Sequence, residues 1–183
     1  MKVSQLPLGW DRSEPSLGPP LFEHPGRVGA NLEAFRGRDT VVGISDILGF
    51  STGVRFDVRV WIRRRDGGLA VQTEADRYLK EDAALLRRHL RFGARYEDGR
   101  EVWNTPGIGE GSLDRPAPVL LLHEARAEQM GLSVVYWLWP YRSSGGVVVM
   151  VEWPEKAVPR GSIIVAGHKL QEARRKARGV WVD

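Results

Sequence analysis

Two apolar runs constrain this chain more than any other feature: Leu132 to Trp139, closed by Pro140, and Val147 to Trp153, closed by Pro154. In the first, Val134, Tyr136 and Leu138 alternate to one side and Val135, Trp137 and Trp139 to the other, so both faces are apolar. A strand of that kind needs cover on both faces and belongs inside a sheet or between layers. Each closing proline lacks the backbone N–H that would continue a ladder. Between the runs, Tyr141-Arg-Ser-Ser-Gly-Gly146 is short and turn-permissive, so the two read as an antiparallel hairpin. Each aromatic side chain buries ~150–250 Å², so this pair supplies much of a core. Neither run approaches the ~18–20 apolar residues of a membrane span.

The flanking sequence is also rich in strands. Thr40 to Leu48 reads as a strand and Gly49-Phe-Ser-Thr-Gly53 as a turn. Val54 to Ile62 shows the cleanest alternation, with Val54, Phe56, Val58, Val60 and Ile62 on one face and Arg55, Asp57, Arg59 and Trp61 on the other. Thr73 to Leu90 carries apolar residues at three-to-four spacing, which predicts a helix. Leu90 to Tyr96 and Glu101 to Asn104 are strands around the turn Glu97-Asp-Gly-Arg100. Thr105 to Pro118, punctuated by Gly and Pro, reads as a loop. Val119 to Ala125 and Ser162 to Val165 are further short strands. Ala166 to Arg178 is a helix, with Ala166, Leu170, Ala173 and Ala177 on one face. Before all of this, residues 1–38 hold five prolines and no periodicity. They read as an irregular arm anchored by Trp10, Phe22 and Phe35. The expected organisation is therefore this arm followed by one domain, 39–183. Its predicted fold is mainly β: an antiparallel β-sandwich or partly open barrel of about eight strands, with one inserted helix and a C-terminal helix.

Composition narrows the chemistry. At 183 residues the chain has the size of one domain. The sequence has no cysteine, which removes disulfides, thiolate metal sites and a cysteine nucleophile together. No signal peptide is expected from the first ten residues, and the expected location is the cytoplasm. The net charge of +4 permits an anionic partner without demanding one. Seven tryptophans supply an aromatic core or exposed stacking surfaces.

No motif carries catalysis. Gly49-Phe50-Ser51-Thr52-Gly53 matches the Gly-x-Ser-x-Gly pattern of hydrolase nucleophiles, but that chemistry needs a strand-to-helix turn. Here a strand follows, so a plain turn is the better reading. Gly107-Ile108-Gly109-Glu110-Gly111 lacks the following Lys and Ser or Thr of a phosphate loop, and Glu110 would repel the anion. His24, His89, His123 and His168 share no metal-ligand spacing. Neither a metal nor a cofactor is expected. Arg55, Asp57 and Arg59, at about 7 Å intervals on one strand face, are candidates for anion or carboxylate binding, set against a solvated charge-alternating face. Trp61, among charged neighbours, is the best candidate for an exposed stacking surface. Arg63, Arg64 and Arg65, with Arg174, Arg175 and Lys176 of the terminal helix, are candidates for contact with nucleic acid or an acidic partner. Basic residues also suit a helix C-terminus by dipole alone.

The series Thr52 to Val60, Leu90-Arg-Phe-Gly-Ala-Arg-Tyr-Glu-Asp-Gly-Arg100, Tyr136-Trp-Leu-Trp-Pro140 and Val151-Glu-Trp-Pro154 resembles a family of uncharacterised bacterial proteins. The likeness spans residues 40 to 181. It departs at Val54, where the family pattern has an aromatic residue, and over the helix-like 73–90. The resemblance implies a β-sandwich and carries no activity and no functional residue.

The first functional expectation is accordingly a non-enzymatic module that binds a protein partner or itself. It implies an apolar patch or subunit interface, which involves the arm. The alternatives are a small-ligand binder or enzyme with Arg55, Asp57, Arg59, His123 or Glu152 around one pocket, and an accessory nucleic-acid binder. No membrane partner is expected.

Overall fold

The computed structural model describes residues 18–29, 31–63, 90–104, 118–128, 131–141 and 145–180. It contains strands β1 (Glu23–His24), β2 (Gly26–Arg27), β3 (Leu32–Arg36), β4 (Thr40–Gly49), β5 (Val54–Ile62), β6 (Arg91–Tyr96), β7 (Glu101–Trp103), β8 (Val119–Glu128), β9 (Gly131–Trp139), β10 (Val147–Trp153), β11 (Val158–Val165) and β12 (Arg178–Gly179). Helix α1 (Gly167–Lys176) precedes β12. The larger sheet runs β2-β4-β5-β9-β8, and β3 joins the β2 edge of β4 further along. The smaller runs β11-β10-β6-β7, and β1 pairs β12 in a separate ribbon. All pairings are antiparallel and no barrel closes among the described residues, so the architecture is sandwich-like. The expected helix over 73–90 and most of the loop over 105–118 lie outside the described residues. No described helix is long and apolar enough to cross a membrane.

The expected hairpin between the two apolar runs is not formed. β9 pairs with β5 and β8, whereas β10 pairs with β6 and β11, so the runs are interior strands of opposite sheets. This explains why both are apolar on both faces. Each has its inner side in the core, and each outer side has its own cover: Phe50 meets Trp137 edge-on at 5.6 Å, and Met150 is buried on β10. The Ser/Gly connection resembles a hairpin loop in composition. What the composition hides is Tyr141, which is fully buried and donates its hydroxyl to the Gly145 carbonyl at 2.5 Å. Sheets pack ~10 Å apart, and a connection of this length spans that gap.

The core lies between the sheets. Val54, Phe56, Val58 and Val60 of β5 are buried in register with Leu138, Tyr136, Val134 and Leu132 of β9. Opposite them, Phe92 stacks on Tyr136 at 4.4 Å and 6°, with Phe56 tilted against Phe92 at 5.7 Å. Within the expected irregular arm, Leu32–Arg36 is a strand. β3 pairs residue by residue with Ile44 to Val41, and Phe35 packs on the core. Its alternation is broken by a bulge between Glu33 and Phe35, which is why the pattern reads as irregular. Phe22 does not anchor the arm, because it is exposed.

Two glycines seat α1. Gly26 and Gly49 are cross-strand partners, and a Cβ on Gly26 would stand 1.9 Å from the Ala173 carbonyl oxygen. On Gly49 it would meet the Ala173 Cβ at 3.0 Å. The helix backbone thus rests directly on the sheet edge, with Leu170 in the core. Gly26→Ala should lift the helix and lower stability by about 1–3 kcal/mol, measurable as a lower urea midpoint.

Beside this seat, Tyr96 and Tyr141 lie ring to ring at 6.3 Å. Burial is the main cause that raises both phenols above the ordinary range, Tyr141 to about 12. A phenol held neutral on folding contributes stability that is complete below its unfolded value of ~10 and is lost as pH climbs through the folded one. Stability should therefore fall between about pH 10 and 12, with tyrosinate absorbance from Tyr141 emerging in that window in an alkaline titration.

Candidate functional site

The alternation of β5 places Arg55, Asp57, Arg59 and Trp61 on the outer face of the larger sheet, as expected. The charged residues do not converge on a cavity. Arg55 donates to Asp57 through Nε at 2.7 Å and Nη2 at 3.1 Å, so the two satisfy each other. Asp57 faces Asp46 across the β4–β5 ladder. Two carboxylates directly opposed would repel, and each has its own arginine, Asp46 being held by Arg27 at 2.9 Å. Arg59 is 4.0 Å from Glu128. His123 is exposed on β8, and Glu152 lies on the other sheet between Arg91 and Arg160. The constellation expected around one pocket is therefore not assembled. Among the described residues, no cluster of three His, Asp or Glu forms a potential metal site.

Trp61 is a different case. It is 43 % exposed, and it lines an open recess of about 320 Å³ with Glu33 and Arg36 of β3 and with Val41 and Gly43 of β4. Neither Glu33 nor Arg36 is flagged by sequence. They face the recess through a ladder register that only the fold reveals.

The basic candidates separate as well. Arg63 follows β5, where its N–H donates to the Asp39 carbonyl at 2.8 Å. Arg64 and Arg65 lie outside the described residues. Arg174 reaches the other end of the β4–β5 hairpin and donates to the Phe50 carbonyl at 3.2 Å and the Ser51 carbonyl at 2.5 Å. The nine residues of β5 rise ~3.3 Å each, so about 30 Å divides these ends and Arg63 adds nothing to a patch on α1. Lys176 pairs with Glu172 at 2.6 Å, and Arg175 is exposed. Arg174 is thus a clamp that ties helix to turn. Arg174→Met should cost about 1.5–3 kcal/mol, the range for charged hydrogen bonds, seen as a lower thermal midpoint.

The Gly-x-Ser-x-Gly segment is a strand-to-strand turn closed by Phe50 N–H to Gly53 O at 2.9 Å. Ser51 is held by the Glu23 carboxylate, which accepts from its backbone N–H at 2.5 Å and its hydroxyl at 2.7 Å. No histidine is involved in that contact.

Glu23 belongs to the β1–β12 ribbon, which sequence reading missed because strands of two residues leave no periodic signal. The register pairs Glu23 with Gly179 and His24 with Arg178, and Val180 N–H donates to the Phe22 carbonyl at 2.8 Å. Residues directly opposite share a face, as do residues two apart. Glu23 turns inward to Ser51. Phe22 and Val180 therefore point outward as one row, and His24 and Arg178 as the next. Phe22 is 66 % exposed, the adjoining Leu21 55 % and Val180 38 %.

No protein-family model, curated protein or solved structure matches this chain.

Proposed function

We propose that this chain is a non-catalytic protein-binding module that docks an acidic partner segment on the outward face of the β1–β12 ribbon. The observation that carries this reading is the tile itself, an apolar row, Phe22–Val180, beside a polar row, His24–Arg178, that carries the Arg178 cation. Three of the five exposed large apolar side chains among the described residues (Leu21, Phe22 and Val180) gather there. An isolated two-stranded ribbon is marginal in water, and this one has strands of two residues, so a partner that covers it stabilises it.

The complementary surface is an apolar side chain with Asp or Glu two positions along. A second copy of this chain fits less well. A two-fold contact would set Arg178, and the nearby Arg175 and Lys176 of α1, against themselves. Burial of each large apolar side chain is worth about 1.5–3 kcal/mol before the cost of association, which suits a transient partner.

The test is site-specific photocrosslinking. A benzophenone side chain at position 22, in an extract of the cells that make the protein, should give one adduct of defined mass, containing an acidic segment. The same probe at the remote Arg126 should not, and Arg178→Glu should abolish the adduct. Equal labelling from both positions overturns the reading. A homodimer adduct, matched by a doubled mass in light scattering, replaces the acidic partner with a second copy.

A further inference from the structure

We infer that the recess beside Trp61 is a binding slot for a neutral hydroxylated ring, such as a pyranose unit of an oligosaccharide. This inference is independent of the ribbon, which lies at the opposite end of the β4–β5 hairpin.

The register builds the slot. Arg36, Val41 and Trp61 are successive neighbours across β3, β4 and β5, and Glu33, Gly43 and Arg59 form the next row. β4 contributes Val41, Gly43 and Ile44 to the lining, whereas β3 and β5 raise the long side chains of Glu33, Arg36 and Trp61 on either side. The Trp61 ring leans over Gly43, where a Cβ would meet its Cζ3 at 3.2 Å and the Leu32 carbonyl oxygen at 3.1 Å. Opposite stands the Glu33–Arg36 pair, in which Arg36 Nε donates to both carboxylate oxygens at 2.9 and 3.0 Å. Asn31, held at a φ of 65°, lines the same recess.

The charges decide the ligand class. Glu33 and Arg36 cancel, so the slot has no net charge to attract an ion. A charged ligand would have to break the two-point pair to gain one of its own. A neutral ring bearing hydroxyls does not. It accepts from the remaining guanidinium and Asn31 amide N–H groups, donates to the Glu33 and Asn31 oxygens, and lays its C–H face on the exposed indole. Side chains that combine donors and acceptors beside one aromatic face match such a ring better than they match a purely apolar one. The volume, about 320 Å³, lies at the lower end of the ~300–1,000 Å³ of small-molecule sites.

The experiment follows the tryptophan indole N–H resonances of the full chain during titration with cellobiose, maltose, lactose and, separately, AMP. The resonance missing from the Trp61→Ala spectrum is Trp61. One of the disaccharides should shift it saturably, with a Kd in the range of about 0.1–10 mM. Trp61→Ala should weaken binding by roughly 5- to 100-fold, the equivalent of one lost stacking contact. Trp61→Phe should restore part of it, and Glu33→Ala with Arg36→Ala should weaken it with the indole in place. Because Trp61 is outside the core, its variants should keep the parent thermal midpoint, which separates lost binding from lost fold. No saturable shift with any disaccharide up to about 20 mM, or binding that is unchanged in Trp61→Ala, overturns the inference. Tighter binding of AMP than of every sugar also overturns it, in favour of an anionic aromatic ligand.

Discussion

Phe92 lying flat on Tyr136 is the contact on which the two sheets depend. One ring hangs from β9, the other from β6, and Phe56 closes their side. Aromatic pairs contribute about 0.5–1.5 kcal/mol beyond the area they bury. Their positional effect matters more here, because the stack holds two sheets face to face between which the chain crosses at β5–β6, β7–β8 and β9–β10. Once that spacing is set, the flank can close. Gly161 of β11 comes so near β3 that a Cβ there would stand 2.3 Å from the Ala34 carbonyl oxygen. Close packing of this kind transmits strain instead of absorbing it, so the glycines at the seams and the stack at the centre belong to one constraint.

On the outer faces the governing rule is cancellation. Arg55 answers Asp57, Arg27 answers Asp46, Arg36 answers Glu33 and Arg126 answers Glu124. Exposed pairs like these add ~0–1 kcal/mol each to stability. Their larger effect is on the field, because a sheet face dense in charge presents little net potential to an approaching molecule. What cancellation does not cover is the indole of Trp61 and the apolar row of the ribbon, the two surfaces on which the proposed binding rests.

How much of this was legible in the sequence follows the length of each signal. β5 could be read residue by residue, because nine positions alternate without a break and one face is core. The two runs rich in tryptophan were recognisable as interior strands. Their partners were not, since composition shows that a connection can turn and says nothing about whether Tyr141 anchors it between layers. β3 escaped because its bulge puts Phe35 out of phase. Arg174 looked like part of a solvated basic face, and its real partners are carbonyls more than 120 positions away in the chain. The slot shows the same limit. Trp61 stood out on its strand, whereas Glu33 and Arg36 gained meaning only from a register that local pattern does not encode.

The ribbon has a consequence for the history of each molecule. Its two strands come from residues 23–24 and 178–179, and every other described strand lies between them. Pairing so distant in sequence carries a large loop-closure cost until the intervening chain has folded. The Phe22–Val180 row therefore cannot exist on a nascent or truncated chain that lacks β12. A surface assembled from β1 and β12 reports that these two distant segments have met: a partner of the kind proposed would bind molecules in which they are paired and pass over those in which they are not.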